Sequence, residues 1–169
     1  SAIISDTLLF RSPTCTAVDK NAALELAAIA GVDADALGRE MFAAASKLKN
    51  KTGQELFYQD YKVFDWEGTT VGIGQISSLD EVELAEVKRK VLEYMEKIHA
   101  KRGTDMFFIM LTSILHEYSE VLCDGQTALK LLKTAFPEAH VEEKSAVLPG
   151  VVSRKKQLIP VLMDVWQTM

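Results

Sequence analysis

The sequence has few of the residues that anchor proteins in membranes, build disulfide frameworks or hold metals. Its 169 residues include two cysteines, three histidines and four prolines. No apolar run approaches the roughly 20 residues that a membrane-spanning helix requires, so no membrane association is expected. Cys15 and Cys123 lie far apart without a CxxC spacing, which predicts neither a disulfide nor a zinc motif. Two reduced thiols are typical of a cytoplasmic protein.

Positive charge and clustered histidine are also scarce. The chain has 19 Lys and Arg against 24 Asp and Glu, for a net charge of −5. A general nucleic-acid-binding surface needs a concentrated positive field, so no nucleic-acid partner is expected. His99, His116 and His140 show no HxxxH or HxH spacing, which argues against a self-contained transition-metal site.

The beginning of the chain is unusual. Residues 1–6 contain no basic leader and no long apolar stretch, which argues against a signal peptide. There is no initiator Met, and the chain opens directly into an apolar segment. We therefore expect a chain cut from a longer protein, with residues 1–12 as the tail of a preceding unit and 13–169 as one domain.

Two spacings of apolar residues alternate along the chain and predict an α/β fold. Helical spacing covers about 16–30, 35–48, 79–102, 126–136 and 153–169, with a short helix near 52–58. Strand patterns cover 61–66, 70–77, 105–115, 120–123, 140–143 and 146–148. The stretch 105–115 is apolar throughout, which predicts a strand buried on both faces. We expect a mixed β-sheet of about five strands with helices on both faces.

The most informative stretch is Gly150–Gln157, with the sequence GVVSRKKQ. Arg154, Lys155 and Lys156 lie where a strand leads into a helix, although cations are normally favoured at the other helix end. Backbone N–H groups, a guanidinium and an ammonium together suit phosphate oxygens. The alternative is a solvated basic turn. Pro160 either begins the regular part of the last helix or kinks it.

Two further residues are candidates on pattern alone. Lys62 lies on a predicted strand among aromatic and β-branched residues, and its side chain points either into a cleft or to solvent. Asp6 lies between apolar pairs, where a carboxylate serves either as a metal ligand or as a helix cap. The sequence contains no glycine-rich phosphate loop and no Ser–His–Asp order, so the residues alone do not make a complete catalytic set.

Three motifs resemble one protein family. They are Ile4–Thr16 (ISDTLLFRSPTCT), Ala30–Asp33 (AGVD) and Gly150–Pro160 (GVVSRKKQLIP). Together they resemble the C-terminal part of the manganese-dependent (family II) inorganic pyrophosphatases of the DHH phosphoesterase superfamily. Phe57–Lys62 (FYQDYK) and Gly72–Gln75 (GIGQ) are most similar to the subgroup that also carries regulatory CBS domains.

This resemblance implies a role for each candidate residue. Arg154 and Lys155 match the two cations that bind pyrophosphate, and Lys62 matches a third. Asp6 matches the last metal ligand, and residues 1–12 match the end of the catalytic lobe and its linker. The sequence has no Asp-His-His motif, so the N-terminal lobe that supplies most ligands for Mn²⁺ (or Co²⁺ or Mg²⁺) is missing. One carboxylate does not hold such a cation tightly.

The resemblance implies a two-lobe hydrolase that splits pyrophosphate into two orthophosphates. Residues 13–169 would be the substrate-binding domain, closing over an N-terminal lobe of the same polypeptide in a homodimeric enzyme. Arg154, Lys155 and Lys62 would neutralise phosphate oxygens, and the isolated chain would be inactive. A non-catalytic interaction module and the matching lobe of a polyphosphate or other phosphoester hydrolase remain alternatives.

Overall fold

A computed structural model describes residues 2–45, 48–98 and 103–169. The chain divides into two compact units, Ser1–Lys47 and Leu48–Met169. No sequence feature near residue 47 indicated this division, and the predicted boundary after residue 12 remains a prediction. The predicted end of the long helix at 99–102, which includes His99, lies outside the described residues. No helix in the described ranges combines the length and the apolar character of a membrane span.

The described residues of the first unit form three helices, α1 (Ala2–Asp6), α2 (Ala17–Ala30) and α3 (Ala34–Ala45). A reciprocal pair of hydrogen bonds begins α2: the Thr16 hydroxyl accepts from the Asp19 N–H, and the Asp19 carboxylate accepts from the Thr16 N–H. Gly31, at φ 67°, ends this helix in the left-handed conformation. The helix predicted over 35–48 is present as α3, and residues 46–47 of that prediction lie outside the described residues.

The described residues of the second unit include a mixed sheet of six strands, which confirms the α/β class and exceeds the expected number of about five. The strands are β1 (Tyr61–Trp66), β2 (Thr69–Ser78), β3 (Met106–Ser113), β4 (Tyr118–Cys123), β5 (His140–Val141) and β6 (Ser145–Pro149), in the order β1-β2-β3-β4-β6-β5. Only β2 and β3 are parallel among these pairs. All eight residues of β3 are buried, as predicted.

Helices cover both faces of this sheet, as predicted. One face packs against α4 (Gly53–Phe57) and α5 (Glu81–Ile98), and the other against α6 (Gln126–Ala135) and α7 (Ile159–Trp166). β3 contributes to both layers because its side chains alternate between the faces. Phe107 lies in the α4/α5 layer, whereas Phe108 lies in the α6/α7 layer.

The β1–β2 pairing requires a residue without a side chain at Gly72. The two strands predicted over 61–66 and 70–77 pair antiparallel as a hairpin, with Val63 opposite Gly72. A Cβ atom added to Gly72 would lie 1.6 Å from the Tyr61 hydroxyl oxygen, so the tyrosine ring occupies the space over this glycine. The close neighbour of this glycine is thus the side chain of Tyr61.

Candidate functional site

The basic stretch forms a π-helical turn, Arg154–Leu158, between β6 and α7. The Ser153 hydroxyl accepts a hydrogen bond from the Lys156 N–H at 3.3 Å, and the Ile159 N–H donates to the Arg154 carbonyl, five residues back. Pro160 follows at the start of α7, where the missing N–H is harmless. Of the two alternatives for Pro160, the structure supports the one in which it begins the regular helix.

Two glutamines bind the backbone that leads into this turn. The Gln157 side-chain oxygen accepts from the Val152 and Ser153 N–H groups, each at 3.0 Å, and its amide donates to the Gly150 carbonyl at 2.8 Å. From β2, the Gln75 amide donates to the Val152 carbonyl at 3.1 Å. The irregular segment is thus held by side chains in place of a ladder of backbone hydrogen bonds.

A buried hydroxyl pair supports the same segment from the sheet. Thr112 on β3 and Ser119 on β4 share a hydrogen bond of 2.9 Å, and neither is accessible to solvent. The Gln75 amide donates to the Thr112 hydroxyl at 3.0 Å, and the Ser119 hydroxyl donates to the Val151 carbonyl at 2.6 Å. Buried polar groups of this kind specify one arrangement because each of them needs its partner.

Arg154 is buried, with 8% of its surface exposed. Its Nη1 donates to the backbone carbonyls of Asp60 and Ile73, the latter at 3.0 Å, and its Nη2 donates to the Asp60 carboxylate at 3.0 Å. A buried guanidinium needs such partners, because an unpaired buried charge is costly. The structure therefore anchors Arg154 to the start of β1 and the middle of β2.

Lys62 lies on the same sheet face as Arg154. It follows Asp60 by two residues and pairs with Ile73, whose carbonyl accepts from Arg154. Strand residues alternate between faces, and Phe64, two positions on, packs in the α6/α7 layer. Lys62 is exposed, as is Lys155 next to Arg154. The structure thus brings β1, which carries Lys62, against the basic turn.

Asp6 belongs to the first unit and is the exposed last residue of α1. Its place at the end of a helix excludes the alternative role of an N-terminal cap. Within the described ranges, no three His, Cys, Asp or Glu residues are grouped so that they hold a metal ion. The described residues therefore do not form a complete site for a divalent cation, and Asp6 can supply only one carboxylate to such a site.

Neither the Cys123 thiol nor the Tyr61 hydroxyl is an activated nucleophile. Burial raises the pKa of the Cys123 thiol to about 12, so the sulfur stays protonated at neutral pH. Burial also raises the pKa of the Tyr61 hydroxyl. The arrangement can bind an anion with cations and hydrogen-bond donors.

Sequence reasoning missed two residues of this site, Asp60 and Gln75. Both lie inside segments that carried the resemblance, FYQDYK and GIGQ, which was the only available signal. Their partners are remote: Arg154 is 94 residues from Asp60, and Val152 is 77 residues from Gln75. No local pattern predicts a pairing over such a separation.

Comparison with known proteins gives consistent matches over nearly the whole chain. The chain is 40% identical over 167 residues to the "Cobalt-dependent inorganic pyrophosphatase" of Clostridium perfringens, covering 99% of this chain and 30% of that protein. It is 43% identical over 164 residues to the "Manganese-dependent inorganic pyrophosphatase" of Bacillus subtilis, covering 97% of this chain and 52% of that protein. The chain thus spans about half or less of the length of these relatives.

A solved structure matches as well. The crystal structure of a Methanococcus jannaschii protein assigned to the family II inorganic pyrophosphatases aligns with a TM-score of 0.82 and 38% identity. The alignment covers 98% of this chain and 53% of that one. The model of the family described as "DHHA2 domain" matches residues 39–165, which include Lys62, Arg154 and Lys155 but not Asp6. Because this match takes in three quarters of the sequence, the chain belongs to the DHHA2 domain family.

Proposed function

We propose that this chain is the C-terminal, substrate-binding part of an inorganic pyrophosphatase, and that Arg154, Lys155 and Lys62 bind pyrophosphate. The observation that carries the proposal is the buried, anchored guanidinium of Arg154 beside the strand that carries Lys62. The similarity to relatives named as pyrophosphatases supplies the substrate.

The chemistry of this part is electrostatic. Hydrolysis of pyrophosphate moves negative charge onto the oxygens of the leaving phosphate, and fixed cations stabilise that charge without reorganising. Arg154 supplies planar N–H donors, whereas Lys155 and Lys62 supply compact positive charges. Cations held on a rigid sheet and on an anchored turn suit this task, which needs no nucleophile from this chain.

The metal and the partners follow from the same proposal. Mn²⁺, or Co²⁺ or Mg²⁺, would be bound mainly by an N-terminal lobe, with Asp6 as one ligand of a site completed outside this chain. This chain's own residues would bind the substrate while the two lobes close on it. We further propose a homodimeric enzyme of the cytoplasm that does not bind nucleic acid, in line with the charge of −5 and two unpaired thiols.

Calorimetric titration of the 169-residue chain with pyrophosphate at low salt tests the proposal. We expect binding that weakens about 10-fold or more in each of Arg154→Ala, Lys155→Ala and Lys62→Ala, because each removes a charge-assisted contact. Lys130→Ala is the matched control, since Lys130 is an exposed lysine on α6. If the parent chain does not bind, or all four variants bind equally, the basic turn is a solvated helix start.

Phosphate release separates binding from catalysis. The isolated chain should not hydrolyse pyrophosphate, whereas the complete protein with its N-terminal lobe should do so when Mn²⁺ is supplied. Faster turnover of tripolyphosphate than of pyrophosphate by the complete protein would indicate the polyphosphate alternative. If the complete protein hydrolyses neither substrate and the 169-residue chain does not bind pyrophosphate, the result would indicate a non-catalytic interaction module.

A further inference from the structure

We propose that Asp60 is a positioning residue for Arg154: it binds the guanidinium through Nη1 and Nη2 so that the Nε–H and the remaining Nη2–H face the substrate. The inference rests on the function proposed above and adds a residue to which the resemblance gives no role. It is based on which of the five N–H donors of the guanidinium already have an acceptor in the protein and which do not.

Three of those five donors are already used. Nη1 donates both of its hydrogens, to the backbone carbonyls of Asp60 and Ile73, and Nη2 donates one to the Asp60 carboxylate. The Nε–H and the second Nη2–H make no hydrogen bond with any residue in the described ranges. Because the carbonyl and the carboxylate of Asp60 bind Nη1 and Nη2 respectively, we infer that Asp60 spans the edge between these two atoms. The remaining Nη2–H then lies beside the Nε–H, and two such parallel donors suit two oxygens of a phosphate.

Asp60 is itself firmly placed. It directly precedes β1, and its carbonyl oxygen also accepts a hydrogen bond from the Gln75 N–H of β2 at 3.2 Å. Gln75 in turn accepts from the Arg154 N–H at 3.4 Å and binds the Val152 carbonyl at 3.1 Å. The backbone of Arg154 is thus hydrogen-bonded to β2, and its side chain to β2 and to the residue that precedes β1. Lys62 lies on β1, so its position is fixed by the same pair of strands.

The purpose of the Asp60 contact is geometric rather than electrostatic. A carboxylate next to a phosphate-binding arginine offsets part of its positive charge, which by itself weakens anion binding. Asp60 is 52% exposed at its side chain, and half-exposed ion pairs add little to folding stability. An acceptor at a fixed place, however, selects one orientation of the guanidinium plane before the substrate arrives, which lowers the cost of binding the transition state.

Steady-state kinetics of the complete, metal-loaded enzyme on pyrophosphate test this proposal. Asp60→Asn keeps an oxygen acceptor and removes the charge, whereas Asp60→Glu keeps the charge and displaces the oxygen by one methylene group. Positioning predicts that Asp60→Asn stays within about 3-fold of the parent in kcat. It also predicts that Asp60→Glu and Asp60→Ala lose about 10- to 100-fold in kcat, with KM changed by less than about 3-fold. The reverse order, with Asp60→Glu active and Asp60→Asn impaired, would show a role of charge and overturn the proposal.

A double-mutant cycle tests whether Asp60 affects catalysis through Arg154. In an Arg154→Lys background there is no planar fork to orient, so Asp60→Ala should change kcat by less than about 2-fold. An equal loss in both backgrounds would overturn the inference, as would no loss in either. Thermal melting of each variant checks that it is folded. If Asp60→Ala is unfolded, the comparison of kcat between Asp60→Asn and Asp60→Glu tests the proposal instead. An Arg154→Ala enzyme with full activity would instead refute the proposed function itself.

Discussion

Gln75 and Gln157 bind the two backbone polar groups of one residue, Val152. Gln75 donates to its carbonyl at 3.1 Å from β2, and Gln157 accepts from its N–H at 3.0 Å from the π-helical turn. The segment before Arg154 is thereby fixed between the sheet and the last helix. An irregular loop placed in this way can carry a binding group with the precision of a regular element.

Replacing Gln75 by Met should destabilise the protein by about 1–3 kcal/mol, because the Val152 carbonyl and the Arg154 N–H lose their partner without a change in side-chain length. Urea denaturation monitored by circular dichroism measures this loss. The control is Gln126→Met, since Gln126 is exposed at the first turn of α6. Equal stability of the two variants would mean that water replaces Gln75 at no cost.

Adding a methyl group at Gly72 should cost about 1–3 kcal/mol, because the new Cβ would overlap the Tyr61 ring, whose Cζ lies 2.2 Å away. Gly103→Ala is the matched control: no atom of the described residues lies within 4 Å of its added Cβ, and the change should stay within about 0.5 kcal/mol. Combining Gly72→Ala with Tyr61→Leu should be less damaging than the sum of the two single changes. Simple additivity would show that the clash is not with this ring.

The hydroxyl of Tyr118 should make stability fall at alkaline pH. It donates to the Glu81 carboxylate at 2.6 Å, and this hydrogen bond raises the pKa of Tyr118 from 10.0 to about 12. A folded-state pKa above the unfolded value stabilises the fold fully below pH 10 and loses that contribution as the pH rises through about 12. The difference in unfolding free energy between the parent and Tyr118→Phe should therefore be constant from pH 7 to about 9.5 and then shrink.

Absorbance at 295 nm provides an independent readout of the same titration. Glu81→Gln keeps an acceptor but removes the negative charge, so the highest tyrosine transition should move to lower pH in this variant. A titration curve that is unchanged by Glu81→Gln would contradict the assignment of the pKa shift to this pair.

Arg154→Lys should lower turnover in the complete enzyme more than it lowers apparent affinity. The change keeps the charge but removes the planar fork, and one charge-assisted bond lost in the transition state costs about 2–4 kcal/mol, or roughly 30- to 1000-fold in rate. Lys155→Ala should be more harmful than Lys156→Ala, although both side chains are exposed. Equal small losses in these three variants would mean that the turn does not bind substrate.

Local sequence patterns were sufficient for most of the secondary structure. The apolar run at 105–115 predicted the buried strand β3, and the helical segments predicted over 16–30 and 52–58 are present as α2 and α4. The three cations before Pro160 predicted a basic turn entering the last helix. These features depend on neighbours within a few residues, so composition and spacing contain the information.

The order of elements, the mixed sheet and the position of the basic turn therefore follow from local patterns of residues. The division of the chain at residue 47, the cover of the Tyr61 ring over Gly72, and the contacts by which Asp60 and Gln75 hold Arg154 and its segment are visible only in the folded chain. Those contacts depend on strand register and on the docking of α7 against the sheet. They join residues far apart in sequence, where short-range preferences carry no information about the partner.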